Sequence, residues 1–377
     1  MMNASKITIG IITIDDYTNY GNRLQNYALT RLFEEEGFAV KNGIQVYTKE
    51  NYARNTNSFF KRIIKWLMPM RYVKKKIIPV ISEKQGSLKE REDRFKDFNN
   101  TYTESVGVVF SSTNKRAMDL LEKRGINYFV TGSDQVWNPY YEGRDYEFLT
   151  FAPRGKRLSF AASIGVDSIP EKQIERYKQN LSEIRFLSVR EKRALEIIKE
   201  LTGRDAYLTL DPTLLLDNNE WKKAVKKPDL YVPNNYICAY FLGKVPEAVQ
   251  KFSKKIGLPV YTLNSEKFPE LFTLDPGEFL YMIENATYVL TDSFHAVAFS
   301  IKFHREFYVF EREQEGVNSM FSRIETITKA FSLENRIQKR DEIEIQEVVS
   351  NWESIDLKLL DEKQTTFLEI KKVLRIN

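Results

Sequence analysis

Of the two histidines in the 377-residue chain, His295 and His304, the first stands where an imidazole can act on a ligand. It closes Thr291-Asp292-Ser293-Phe294-His295, with apolar Tyr288-Val289-Leu290 before and apolar Ala296-Val297-Ala298-Phe299 after. This is the pattern of a strand end entering a helix, where side chains and unbonded N–H groups point into a cleft. The plainer reading is a buried histidine bonded to Asp292, or Ser293 acting as a helix cap. His304 falls in a loop and reads as incidental.

Three further clusters follow apolar runs. After Tyr128-Phe129-Val130 comes Thr131-Gly132-Ser133-Asp134-Gln135-Val136-Trp137-Asn138, in which Ser133, Asp134, Gln135 and Asn138 offer hydroxyl, carboxylate and amide groups suited to sugar hydroxyls or phosphate. An ordinary Asx or Ser turn explains the same residues without a ligand. The first strand-to-helix turn holds Asn19-Tyr20-Gly21-Asn22, able to receive an anion at a helix N-terminus, although one glycine falls far short of a dinucleotide fingerprint. Arg190, in Ser188-Val189-Arg190-Glu191, is a guanidinium at a strand end, suited to a carboxylate or phosphate or to a surface ion pair. Walker, HExxH, GxSxG and EF-hand patterns are absent.

The elements that must position these residues alternate. Strands are expected at 6–13, 127–131, 157–162, 186–189, 206–210, 236–242, 259–263, 287–290 and 306–310. Helices are expected at 23–36, 116–123, 171–183, 191–201 and 245–256, four of them closed by Gly37, Gly125, Gly203 or Gly257. Such alternation predicts an α/β fold with parallel sheets. The series restarts after Asp211-Pro212, which predicts two Rossmann-like domains facing across a cleft, an N-terminal one over 1–212 and a C-terminal one over 213–341. Residues 342–377 are expected to form a helical tail packing back on the N-terminal domain.

A net charge of +5 is local in origin. Between Asn51 and Ser82 stand eight basic residues and no acidic one, and without them the chain has 49 basic against 52 acidic residues. A general nucleic-acid surface is therefore disfavoured. This basic insertion also carries Trp66, Met68, Met70 and Tyr72, a mixture that suits peripheral contact with an anionic membrane as well as a solvated face. No apolar run reaches the roughly 18 residues of a membrane span. The single Cys238 excludes an internal disulfide framework and a cysteine-based metal cluster, and a cytoplasmic location is expected.

Taken in order, Asn19-Tyr20-Gly21-Asn22, Gly132-Ser133-Asp134-Gln135-Val136-Trp137-Asn138, Ser188-Val189-Arg190-Glu191, Asp211-Pro212-Thr213 and Thr291-Asp292-Ser293-Phe294-His295 resemble the polysaccharide pyruvyl transferase family over nearly the whole chain. The resemblance implies a GT-B-like architecture. It also implies transfer of a pyruvyl group from phosphoenolpyruvate onto two hydroxyls of a sugar, forming a cyclic ketal and releasing phosphate, with no cofactor and no metal. On it, His295 is the candidate acid, Arg190 the holder of phosphoenolpyruvate and Asp134 the group that orients or deprotonates the acceptor. Asn19, Gly21, Asn22, Ser133, Gln135, Asn138 and Ser293 are candidate substrate contacts.

Two departures stand out. Many relatives have Gly where this chain has Ala296, and some have arginine where it has Ser293, so the missing cation is sought in Arg305, Arg312 or Arg323. The acceptor is expected to belong to a cell-surface polysaccharide or its lipid-linked precursor. A nucleotide-sugar glycosyltransferase and a non-catalytic sugar- or anion-binding protein are the alternatives.

Overall fold

Ile9, Ile11 and Ile12 in the first apolar run have no solvent exposure. Strands buried on both faces read this way because helices cover both sides of a parallel sheet. The computed structural model describes residues 6–48, 78–140, 145–313 and 321–375. In it β1 (Thr8–Ile12), β2 (Ala39–Thr48), β3 (Ser105–Ser111), β4 (Tyr128–Gly132) and β5 (Arg157–Phe160) form a parallel sheet in the order β3-β2-β1-β4-β5. Parallel bridges Leu158–Phe186 and Ala162–Val189 carry it on to β6 (Ser188–Val189) and β7 (Tyr207–Leu208).

A second parallel sheet holds β8 (Ile237–Tyr240), β9 (Val260–Leu263), β10 (Tyr288–Thr291), β11 (Glu306–Phe310) and β12 (Ile337–Gln338) in the order β12-β11-β10-β8-β9. Each order reverses once, between β1 and β4 and between β8 and β10. In open sheets ligands bind beyond the carboxyl ends of the strands at such a reversal. The fold is thus α/β with two Rossmann-like halves in a GT-B-like arrangement, and the two reversal points face each other.

The halves share one continuous apolar core, from Ile9 and Leu24 to Phe279 and Val297. Tyr20 stacks on Phe279 at 4.2 Å, and its hydroxyl donates to the Leu274 carbonyl at 2.9 Å. From the long helix Ile78–Tyr102, Arg94 forks onto Glu278 at 2.6 and 2.7 Å. The helix Trp352–Leu374 returns to the first half, setting Phe367 against Phe33 and Phe160.

Three expectations change. No helix forms over 342–351: the Gln346 and Val349 amides donate to the Tyr308 hydroxyl and the Glu306 carboxylate, so they cannot feed a helical ladder. Strands β2 and β3 were not expected, and neither was the helix Ile78–Tyr102. The basic insertion at 51–82 lies outside the described residues except for 78–82, which begin that helix. Among the described residues no helix is long and apolar enough to cross a membrane.

Candidate active site

The ends of β1, β4, β6, β7 and β10 deliver the polar residues. After β1, the Asn19 side chain caps the helix Tyr20–Glu35 by accepting from the Asn22 amide at 3.2 Å. Asn22 is buried, and its Nδ2 donates to Asp134 Oδ2 at 3.1 Å while its Oδ1 accepts from the Asp16 amide at 3.0 Å. Between these two asparagines the Gly21 backbone packs on the His295 ring.

At the end of β4, Gly132 has φ +118°, and a Cβ there would lie 2.2 Å from the Phe160 carbonyl oxygen. Only glycine fits. The chain then turns through Asp134, whose φ of 65° is one that short polar residues tolerate. Ser133 Oγ donates to Asp211 Oδ2 at 2.7 Å.

Arg190, at the end of β6, is buried among carboxylates. Its Nη1 donates to Asp211 Oδ2 and to Ser133 Oγ, its Nη2 donates to Asp134 Oδ1 at 3.2 Å, and its Nε stands 3.9 Å from Glu191 Oε2. That Nε finds no hydrogen-bond partner among the described residues. Asp211, beyond β7, caps the short helix Pro212–Leu215 through the Thr213 amide at 3.0 Å.

From the second half, His295 enters in the first turn of the helix Phe294–Lys302. Its Nε2 is 3.9 Å from Asp211 Oδ2, buried, and without a hydrogen-bond partner among the described residues. The expected alternative partner Asp292 is engaged elsewhere, accepting from the Leu242 and Gly243 amides at 2.7 and 2.8 Å. Beside the histidine, the Phe294 ring lies 5.1 Å from the Arg190 guanidinium and 5.7 Å from that of Arg323.

The charges are strongly coupled. Burial alone would raise the Asp134 and Asp211 carboxyls, but Arg190 and His295 outweigh it, leaving Asp134 below its ordinary value and Asp211 at about 2. Burial lowers His295, and Arg190 and Arg323 add to that against the pull of Asp211 and Asp134. Arg323 is pushed down to about 10 by burial and by the like charge of Arg190. Cations that resist their own charge in this way mark surroundings an anion would stabilise.

The structure therefore brings together Asp134, Arg190 and His295, with Asn22 and Ser133 bonded to the carboxylates. Gln135, its amide oxygen turned to the cation, accepts from Arg323 Nη2 at 2.8 Å. Asn138 serves its own turn, accepting from the Tyr140 amide at 2.9 Å. Ser293 precedes the Phe294–Lys302 helix without a side-chain cap bond. Arg323 stands at the site, and Arg312 lies near it with Nε 3.6 Å from Asp292. Arg305 does not belong to the set: it immediately precedes β11, at the amino ends of the strands, whereas His295 follows the carboxyl end of β10. His304 stacks on Trp352 and meets Asp356 at 3.0 Å, away from these groups.

Two functional candidates escaped sequence reasoning. Asp211 was visible only as the point where the second series restarts and in the Asp211-Pro212-Thr213 of the resemblance, and Phe294 only as a residue of the motif that ends in His295. Among the described residues, no group of three or more His, Cys, Asp or Glu is placed to hold a metal ion.

Comparison with known proteins gives three findings. A search of curated proteins finds no match. Among solved structures, the S. aureus MnaA–UDP complex superposes with TM-score 0.49 at 10% identity, covering 99% of this chain and 98% of that one. The UDP-GlcNAc 2-epimerase of Methanocaldococcus jannaschii gives 0.46 at 11%, covering 94% and 92%. The glycosyltransferase SnogD of Streptomyces nogalater gives 0.38 at 9%, covering 96% and 95%. Likeness at this level says nothing of substrate. The family model for polysaccharide pyruvyl transferase matches residues 19–314, a span that holds Asn22, Asp134, Arg190, Asp211 and His295 although not Arg323, and the chain belongs to that family.

Proposed function

We propose that this chain transfers the pyruvyl group of phosphoenolpyruvate onto two hydroxyls of a sugar in a cell-surface polysaccharide or its lipid-linked precursor, as a cyclic ketal. The carrying observation is the buried His295 Nε2, without a hydrogen-bond partner among the described residues and set 3.9 Å from Asp211 amid the guanidinium groups of Arg190 and Arg323. An acid beside cations matches what the donor requires. Its phosphate and carboxylate need positive charge, and its methylene carbon needs a proton.

In this reading His295 gives its proton to the methylene carbon, making a methyl group and a cationic carbon that the first sugar hydroxyl attacks. Asp134, held ionised by Arg190, orients that hydroxyl and takes its proton. The bond from carbon to the bridging oxygen then breaks, phosphate departs, and the second hydroxyl closes the ketal. One hydroxyl proton replaces the proton His295 gave, and the other leaves with phosphate, so the balance needs no cofactor. Arg323 supplies the cation that Ser293 lacks, and Arg190 offers its Nε while holding Asp134 and Asp211 in place.

His295 starts neutral at pH 7, because its value lies below 6.5. Arrival of the donor's negative charges raises it, so the acid is armed by the substrate it must protonate. The test is incubation with phosphoenolpyruvate and a panel of lipid-linked and nucleotide-linked sugars. Phosphate release coupled to the mass of one added pyruvyl ketal supports the proposal, and turnover of a nucleotide sugar without phosphoenolpyruvate overturns it. Contact with an anionic membrane belongs to the same proposal, and salt-sensitive co-sedimentation with anionic but not neutral liposomes tests it.

A further inference from the structure

The helix Trp352–Leu374 is apolar on two faces. One face, with Ile355, Leu359, Phe367, Ile370 and Leu374, is buried in the core of the chain. The other leaves Leu357 62%, Leu360 50% and Leu368 53% exposed, although a surface helix ordinarily turns polar side chains outward.

The outward face reads Glu353, Leu357, Leu360, Gln364, Leu368, Lys371 and, just past the helix end, Arg375, at spacings of four, three, four, four, three and four. At about 3.6 residues per turn these positions fall on one stripe, arranged symmetrically about Gln364. We infer that this stripe pairs antiparallel with its counterpart in a second copy of the chain, on a twofold axis through Gln364.

Charge selects that occupant and that direction. In the antiparallel pair Glu353 faces Arg375, Leu360 faces Leu368, and Gln364 faces itself. Leu357 lies on the methylene stem of Lys371, whose amine is already held by Glu36 at 2.6 Å. A parallel pair would instead set Glu353, Lys371 and Arg375 each against its own like charge. The stripe is thus complementary to itself in one direction only, as a twofold interface requires.

The experiment is sedimentation velocity of the full chain over a concentration series, with circular dichroism melts as the folding control. The expected result is a dimer, turned into a monomer by Leu360→Glu with Leu368→Glu while the melt is unchanged. Glu353→Arg alone weakens association about tenfold, and adding Arg375→Glu restores it. A wild-type chain that stays monomeric, a dimer indifferent to the leucine changes, or a charge swap that fails to restore pairing each overturns the inference.

Discussion

Gly21 and His295 occupy adjoining space so closely that a Cβ on residue 21 would lie 2.0 Å from the imidazole Nδ1. The first turn of one half thereby sets the ring of the other. Gly21→Ala must displace the imidazole or the helix start, and misplacement of a reacting group by about 1 Å costs on the order of 10²-fold in rate. A loss of that order in kcat/KM for pyruvyl transfer is expected, with the chain still folded. Wild-type kinetics in the Gly21→Ala protein would show that His295 need not be held there.

Replacing His295 itself by Gln or Ala removes the proposed proton donor, an effect of about 10² to 10⁴ in kcat. The pH profile carries more information. Protonated His295 is the active form, so kcat/KM is expected to fall as pH rises through a value below 6.5, the free enzyme's. Bound phosphoenolpyruvate raises that value, so the same falling limb in kcat lies at higher pH. A kcat limb at lower pH than the kcat/KM limb would contradict substrate arming.

Asp211 is the stability prediction. Its carboxyl moves from 3.8 to about 2 on folding. Because the folded value is depressed, the stabilisation is fully present above pH 3.8 and is lost as pH falls from there toward 2, a contribution of about 2 kcal/mol. Asp211→Asn also leaves Arg190 short of a buried counter-charge, so a loss of about 3 kcal/mol near neutral pH is expected. Denaturant melts across pH check both parts: the variant should be weaker at pH 7 and should lose less between pH 4 and pH 2 than the parent, using the roughly two-unit window of the shift.

How much of this was legible in the sequence depends on distance along the chain. The clusters at Asn19, Ser133, Arg190 and His295 were readable because each follows an apolar run that had to be a buried strand. The bonds from Asp211 to Ser133 and Arg190 span 78 and 21 residues, so nothing local announces them. Strand β2 was missed because Asn42-Gly43 looks like a turn. In the fold Gly43 takes φ +60° inside the strand, and the Asn42 amide donates to the Glu104 carbonyl at 2.8 Å. Arg305 was one of three arginines in which the cation missing at Ser293 was sought, and ten positions separate it from His295. Those positions include the helix Phe294–Lys302, which at about 1.5 Å per residue carries the chain to the other end of the sheet.

That difference between the two ends of the sheet separates the three arginine candidates. Arg323 reaches the Gln135 amide, lies 5.7 Å from Phe294, and is pushed down to about 10 by burial and Arg190, so a bound anion relieves it directly. Arg323→Gln is expected to raise the KM for phosphoenolpyruvate more than it lowers kcat. A charged hydrogen bond of about 1.5 to 3 kcal/mol corresponds to a rise of roughly 10- to 100-fold. Arg312→Gln should act more weakly, since its Nε stands 3.6 Å from Asp292 and its first effect is on the loop after β8. Arg305→Gln, at the amino ends of the strands, should leave the KM unchanged whatever it does to stability. Steady-state saturation with phosphoenolpyruvate at fixed acceptor ranks the three, and a KM rise confined to Arg305→Gln would remove Arg323 from its assigned place.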